Sequence, residues 1–129
     1  MTAILLDTHV WAWSFNQTEN LSKNALRALD DAETVLVSPV SFFEISQKTH
    51  LGKWPQMEPF VTRLGETLAQ QSGVEAPLNG EIGVLAGQLD WPHRDPFDRL
   101  LGATALHLNV ALITKDPAFS GLQDLTVMW

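Results

Sequence analysis

Five acidic residues stand where an apolar segment stops or a helix begins. They are Asp7 in AILLDTH, Glu44 in SPVSFFEISQK, Asp95 and Asp98 in HRDPFDRLLGATA, and Asp116 in ALITKDPAF. One carboxylate at the end of an element is ordinary. Several of them, in a chain of alternating strands and helices, can converge on one edge of a parallel sheet. Crowded carboxylates repel one another unless a divalent cation joins them, and an acidic cluster holding Mg²⁺ or Mn²⁺ suits phosphodiester chemistry.

Each acid also has an ordinary structural role open to it. Asp95-Pro96 and Asp116-Pro117 are a helix cap followed by proline at the first helical position, and Asp98 falls in a first turn, where a carboxylate suits the helix dipole. Asp95 with Arg99 and Glu44 with Lys48 have the i,i+4 spacing of surface ion pairs. Facing and number weigh against that reading for the set as a whole. Asp98 shares its helical stripe with Leu101, Gly102 and Ala105, and Glu44 stands among Phe42, Phe43 and Ile45. A carboxylate directed inwards is costly unless a cation or hydrogen bonds compensate it. A cap explains one acid; it does not explain Asp7, Glu44, Asp98 and Asp116 together.

The elements that must position these acids alternate. AILL at 3–6 and VALIT at 110–114 read as buried parallel strands, and the β-branched TVLVS at 34–38 as another. Helices are expected over 22–32, with Ser22 as cap and Ala25, Leu26 and Leu29 on one face, and from Pro39 to Lys48 or beyond, capped by Ser38. Further helices are expected over 58–71, over 79–88 with Asn79 as cap, and from Pro96 to about Leu108. GVEAPL at 73–78 reads as a short strand and LTVMW at 125–129 as an edge strand. The pattern predicts a three-layer α/β/α fold around a central, mostly parallel twisted sheet, in one domain spanning residues 1–129. In such sheets sites form at the carboxyl ends of the strands, and Asp7 and Asp116 lie just beyond two of them.

At 129 residues, with 45% hydrophobic and 18% charged positions, the chain has the composition of a soluble globular protein. No apolar run approaches a membrane span, and the start MTAILLDTH lacks the basic region of a signal peptide, so a cytoplasmic location is expected. The absence of cysteine removes disulfides and thiolate metal sites. A net charge of −7 argues against a broad basic surface for nucleic acid. Contact with a polyanion must then be local, or a basic partner covers the acidic surface.

LLDTH, SPVSFFEISQKTHLGK, HRDPFDRLLGATA and LITKDPAF, in that order and spacing, resemble the successive blocks of PIN domains, and more narrowly of VapC-type ribonuclease toxins of bacterial toxin–antitoxin pairs. The resemblance runs from about Ile4 to Phe119, and HRDPFDRLL is its most specific block. It implies an endoribonuclease dependent on Mg²⁺ or Mn²⁺, with Asp7, Glu44, Asp98 and Asp116 as metal-binding and catalytic carboxylates. It also implies a homodimer, an RNA substrate, and a cognate antitoxin whose tail blocks the site. Thr8, Asp95 and Thr114 are candidates for supporting the carboxylates or a water by hydrogen bonds. Trp13 and Thr104 depart from the family's usual residues without touching an acid.

Lys48, Lys53, Arg94, Arg99 and Lys115 flank the acidic blocks; Lys48, Arg94, Arg99 and Lys115 are the candidates for phosphate contacts. None of His9, His50, His93 and His107 shows metal-ligand spacing, and His9 and His93, which lie close to acids, are candidates for touching substrate. Trp11, Trp13 and Phe15 are expected in the core or lining an apolar groove for the antitoxin. Two other readings stay open: a non-catalytic PIN-fold binding module, against which the presence of all four acids weighs, and a phosphoacceptor domain with Asp7 as nucleophile, weakened by His9 standing where a second acid would be needed.

Overall fold

The computed structural model describes residues 2–129. Four short apolar stretches and the C-terminal segment form one sheet in the order β3-β2-β1-β4-β5: β1 Ala3–Leu6, β2 Thr34–Val37, β3 Val74–Glu75, β4 Ala111–Ile113 and β5 Val127–Met128. Every pairing is parallel, with Leu6 opposite both Val37 and Ile113. Side chains alternate across a strand, so β1 sends Ile4 and Leu6 into one core and Leu5 into the other. The first core takes α1 (Thr8–Asn16), α2 (Lys23–Asp31), Ile45 of α3 (Pro39–His50) and α4 (Leu64–Gln70). The second takes α6 (Pro96–Leu108), which packs in turn on α5 (Gly80–Gln88) through Ile82, Ala86 and Ala103. This is the expected three-layer α/β/α arrangement. No helix among the described residues is long and apolar enough to cross a membrane.

The expected caps form. Ser22, Ser38, Asn79, Asp95 and Asp116 each accept a backbone N–H at the start of the helix or turn that follows. Asn109 ends α6 in the left-handed conformation that asparagine tolerates. Gly102 has a packing reason: a Cβ there would lie 2.7 Å from Leu122 Cδ2, so a larger residue would require that side chain to shift.

Four expectations are corrected. The helix expected over 58–71 is a 3-10 segment, Pro55–Arg63, before α4 begins, because Pro59 has no N–H to donate into an α-helical ladder. The strand expected over 73–78 pairs only at Val74–Glu75. Leu26 is 40% exposed; Ala25 and Ala28 form the buried stripe of α2. Trp11 is fully buried and donates its indole N–H to Gln71 Oε1 at 2.9 Å, so it cannot line an open groove.

Candidate active site

Asp7 follows β1 directly and caps α1. Its Oδ1 accepts the Thr8 amide at 2.7 Å, and its Oδ2 accepts the Thr114 hydroxyl at 2.7 Å. Its own amide donates to the Ile113 carbonyl at 3.0 Å, so the chain leaving β1 is tied to the end of β4. Thr114, buried just past β4, also accepts the Asp116 amide at 3.1 Å. One hydroxyl thus fixes two acid-bearing segments.

Asp98 stands in the first turn of α6, where Asp95 Oδ1 receives the amides of Phe97 at 2.8 Å and Asp98 at 3.4 Å. Glu44 reaches in from α3 and accepts from Lys48 Nζ at 2.6 Å. Asp7, Glu44, Asp95, Asp98 and Asp116 all line one cavity of about 480 Å³, together with His9, Trp13, Lys48 and Lys115. The carboxyl ends of β1 and β4, the second turn of α3 and the first turn of α6 therefore deliver the acids to one place.

The environment opposes the charges of Asp7 and Asp98. Burial is the main cause that raises the pKa of Asp7; the Thr114 hydroxyl, the Thr8 amide and His9 pull it back, and the charge of Glu44 adds to the rise. Asp98 is raised from 3.8 to about 6, first by burial and further by the charges of Asp95 and Asp7, against the hydrogen bond from His93. Two half-buried acids that disfavour each other's ionisation, surrounded by further carboxylate oxygens, are a donor set suited to a hard divalent cation. Ligand-capable atoms of His93, Asp95 and Asp98 lie within 4.8 Å of one another.

The remaining candidates divide. Thr114 supports a carboxylate, but the Thr8 hydroxyl turns away, 2.8 Å from Ser41 Oγ in a buried hydrogen bond joining α1 to α3; only its amide serves Asp7. Lys48 and Lys115 line the cavity, whereas Arg94 and Lys53 are exposed outside its lining. Arg99 is a correction. Its guanidinium donates to the carbonyls of Ala86, Leu89, Trp91 and His93 at 2.7–3.0 Å, which holds the loop before α6 and leaves it unsuited to phosphate. No Asp95–Arg99 ion pair forms among the described residues.

His93 is not among the lining residues; its Nε2 meets Asp98 Oδ2 at 2.6 Å. Sequence reasoning placed it near substrate and missed this partner, although its position just before the D-P-F-D block was a usable signal. Ser41 and Trp54, which stacks on His9, carried no signal short of the fold.

The PIN domain family model matches residues 4–125. The chain belongs to the PIN domain family. This PIN domain is 29% identical over 116 residues to Ribonuclease VapC22 of Mycobacterium tuberculosis, covering 90% of this chain and 88% of that protein. Its fold is similar to that in a structure of VapBC2 from Rickettsia felis bound to a DNA fragment from their promoter, with TM-score 0.67, 16% identity and 99% of each chain covered. A structure of VapBC-1 from nontypeable Haemophilus influenzae gives TM-score 0.69 at 19% identity, covering 98% of this chain and 97% of that one.

Proposed function

We propose that this PIN domain is an endoribonuclease dependent on Mg²⁺ or Mn²⁺, the toxin of a toxin–antitoxin pair, acting in the cytoplasm as a homodimer. The observation that carries the reading is the convergence of Asp7, Glu44, Asp98 and Asp116 on one cavity. Similarity to a protein named as a ribonuclease and to VapBC structures supports the choice of RNA and of a cognate antitoxin.

Asp7, Glu44, Asp98 and Asp116 would hold the cation. Such a cation supplies Lewis acidity towards phosphate oxygens and acidifies water. The chain's own residues do the rest. Thr114 and the Thr8 amide fix both oxygens of Asp7, so little reorganisation is left when the site fills. One of these carboxylates would also accept a proton from the attacking water. Lys48 and Lys115 meet the substrate's phosphates at the cavity wall. No protein nucleophile is required.

The test is cleavage of RNA by the purified chain with Mg²⁺ or Mn²⁺ and with a chelator. Asp7→Asn and Asp98→Asn are expected to abolish cleavage while preserving the far-UV circular dichroism spectrum. Full activity of both variants would overturn the assignment.

A further inference from the structure

The acids of the cavity are held in different ways. Asp7 has both oxygens fixed, by the Thr8 amide and the Thr114 hydroxyl, and Glu44 is paired with Lys48. The Asp98 carboxylate has one hydrogen-bond partner among the described residues, His93, whose Nε2 lies 2.6 Å from Oδ2. An ionised carboxylate can only accept, so the proton between them then belongs to the imidazole. Asp98 lines the cavity and His93 does not, so the imidazole backs the carboxylate and leaves its other oxygen to the cavity. The ring is itself held from two sides. It packs on Trp91, 4.8 Å between centroids, and Trp91 is 6% exposed in the second core, against Phe119. Arg99 Nη1 donates to the carbonyls of Trp91 and His93 at 2.8 and 2.9 Å, which fixes the backbone that carries the ring. None of these contacts involves the Asp98 carboxylate, so they place the donor independently of it.

We propose that His93 is a positioning residue for the cation site: its Nε2–H fixes Oδ2 of Asp98, so that Oδ1 is the oxygen presented to the cation. This rests on the metal-dependent reading above, which makes Asp98 a ligand. Fixing one oxygen leaves the carboxylate little freedom to lose when the site fills, as hydrogen-bond partners of metal ligands do generally. The choice of donor matters as well. A lysine or arginine here would orient Asp98 but would set a full positive charge beside the cation. An imidazole can donate from Nε2 while uncharged, so it orients the carboxylate without that repulsion. Ligand-capable atoms of His93, Asp95 and Asp98 lie within 4.8 Å of one another, a spacing that direct ligation would also need. The short contact between Nε2 and Oδ2, and the place of His93 outside the cavity lining, favour action through Asp98.

The experiment is calorimetric titration with Mn²⁺ of the wild type and of variants that separate the donor from the ring. His93→Phe keeps a ring on Trp91 and has no N–H; it is expected to weaken Mn²⁺ binding about 10- to 100-fold. His93→Gln carries an amide N–H near the place of Nε2 and is expected to recover most of the loss. His93→Asn is too short to reach Oδ2 and is expected to recover little, so it repeats the test if His93→Phe folds poorly. In an Asp98→Asn background, His93→Phe is expected to change the affinity by less than about twofold, because its effect passes through Asp98. Wild-type affinity in His93→Phe and His93→Asn, with Asp98→Asn impaired, overturns the positioning role and leaves Asp98 a ligand. Equal losses in His93→Phe and His93→Gln overturn it too, since they trace the effect to packing. An imidazole nitrogen coupling in the electron spin-echo spectrum of the wild-type Mn²⁺ complex also overturns it, by making His93 itself a ligand. Unchanged Mn²⁺ affinity in Asp98→Asn overturns the assignment of Asp98 as a ligand and the proposal with it.

Discussion

His93 Nε2 lies 2.6 Å from Asp98 Oδ2, and the carbonyl of the same histidine accepts Arg99 Nη1 at 2.9 Å. The loop before α6 is thereby folded back over the first turn of its own helix. Two adjacent residues of that turn hold it, Asp98 by the histidine's ring and Arg99 by its backbone. The ring also packs on the buried Trp91, 4.8 Å between centroids, so the orientation of Asp98 is inherited from the second core.

The raised pKa of Asp98 gives the metal-free protein a pH dependence of definite sign. The folded chain holds this proton more tightly than the unfolded chain, so the contribution to stability is full below pH 3.8 and is lost as pH rises to about 6. The raised pKa of Asp7 acts in the same direction. In chelator, Asp98→Asn is expected to flatten this fall and to stabilise the chain at pH 7 by about 1–3 kcal/mol. With cation present the sign reverses, because the ligands must be ionised, and metal affinity falls as pH drops through about 6. Urea midpoints against pH, with and without Mg²⁺, measure both; a wild-type midpoint in chelator that climbs between pH 4 and 6 would contradict the assignment.

Asp95 is exposed and its observed work is capping α6. Asp95→Asn retains a capping oxygen and is expected to keep much of the activity, whereas Asp95→Ala is expected to lose about 1 kcal/mol of stability. Inactivity of Asp95→Asn equal to that of Asp98→Asn would make Asp95 a ligand instead.

Arg99 is expected to report on stability more than on RNA. Its four acceptors are backbone carbonyls of the end of α5 and of the loop that follows it, and alanine would leave them without their charged donor. Arg99→Ala is expected to cost about 2–4 kcal/mol, and Arg99→Lys to recover only part, since an ammonium cannot reproduce the planar fork. Equilibrium unfolding in urea checks this. A variant of native stability with weakened RNA binding would restore the phosphate role expected from its sequence neighbours.

The contrast between Asp95 and Arg99 marks how much the sequence tells. Caps, prolines and short β-branched runs act within a few residues, and they located β1, β2, β4 and the starts of α2, α3, α5 and α6. The acids were legible because their positions relative to those ends set which edge of the sheet they reach. Arg99 was not: its i,i+4 distance from Asp95 permits an ion pair, and only the end of α5 and the path of the loop after it supply four carbonyls instead. Thr8 and Ser41 likewise meet because α1 and α3 cross, 33 positions apart in sequence. Trp11 and Trp13 are two positions apart on one helix, so they face different ways, and the core takes the first while the cavity takes the second.

Thr114 offers the most selective test of how the acids are held. Its hydroxyl donates to Asp7 Oδ2, 107 positions away in sequence, at 2.7 Å and accepts the Asp116 amide at 3.1 Å. Valine has nearly the same shape and neither function. Thr114→Val removes the strongest of the interactions that lower the pKa of Asp7, so burial dominates further and the carboxyl is harder to ionise. It also frees the loop that carries Asp116. Metal affinity at neutral pH is therefore expected to fall about 10- to 100-fold, the range typical for loss of a ligand's hydrogen-bond partner. Thr114→Ser keeps the hydroxyl and is expected to retain most of the affinity. Calorimetric titration with Mn²⁺ compares the three proteins without reference to cleavage, and raising the pH should restore part of the loss in the valine variant, because ionising Asp7 is the step it impairs. Equal Mn²⁺ affinity in wild type and Thr114→Val would mean that Asp7 is oriented by β1 and the Thr8 amide alone.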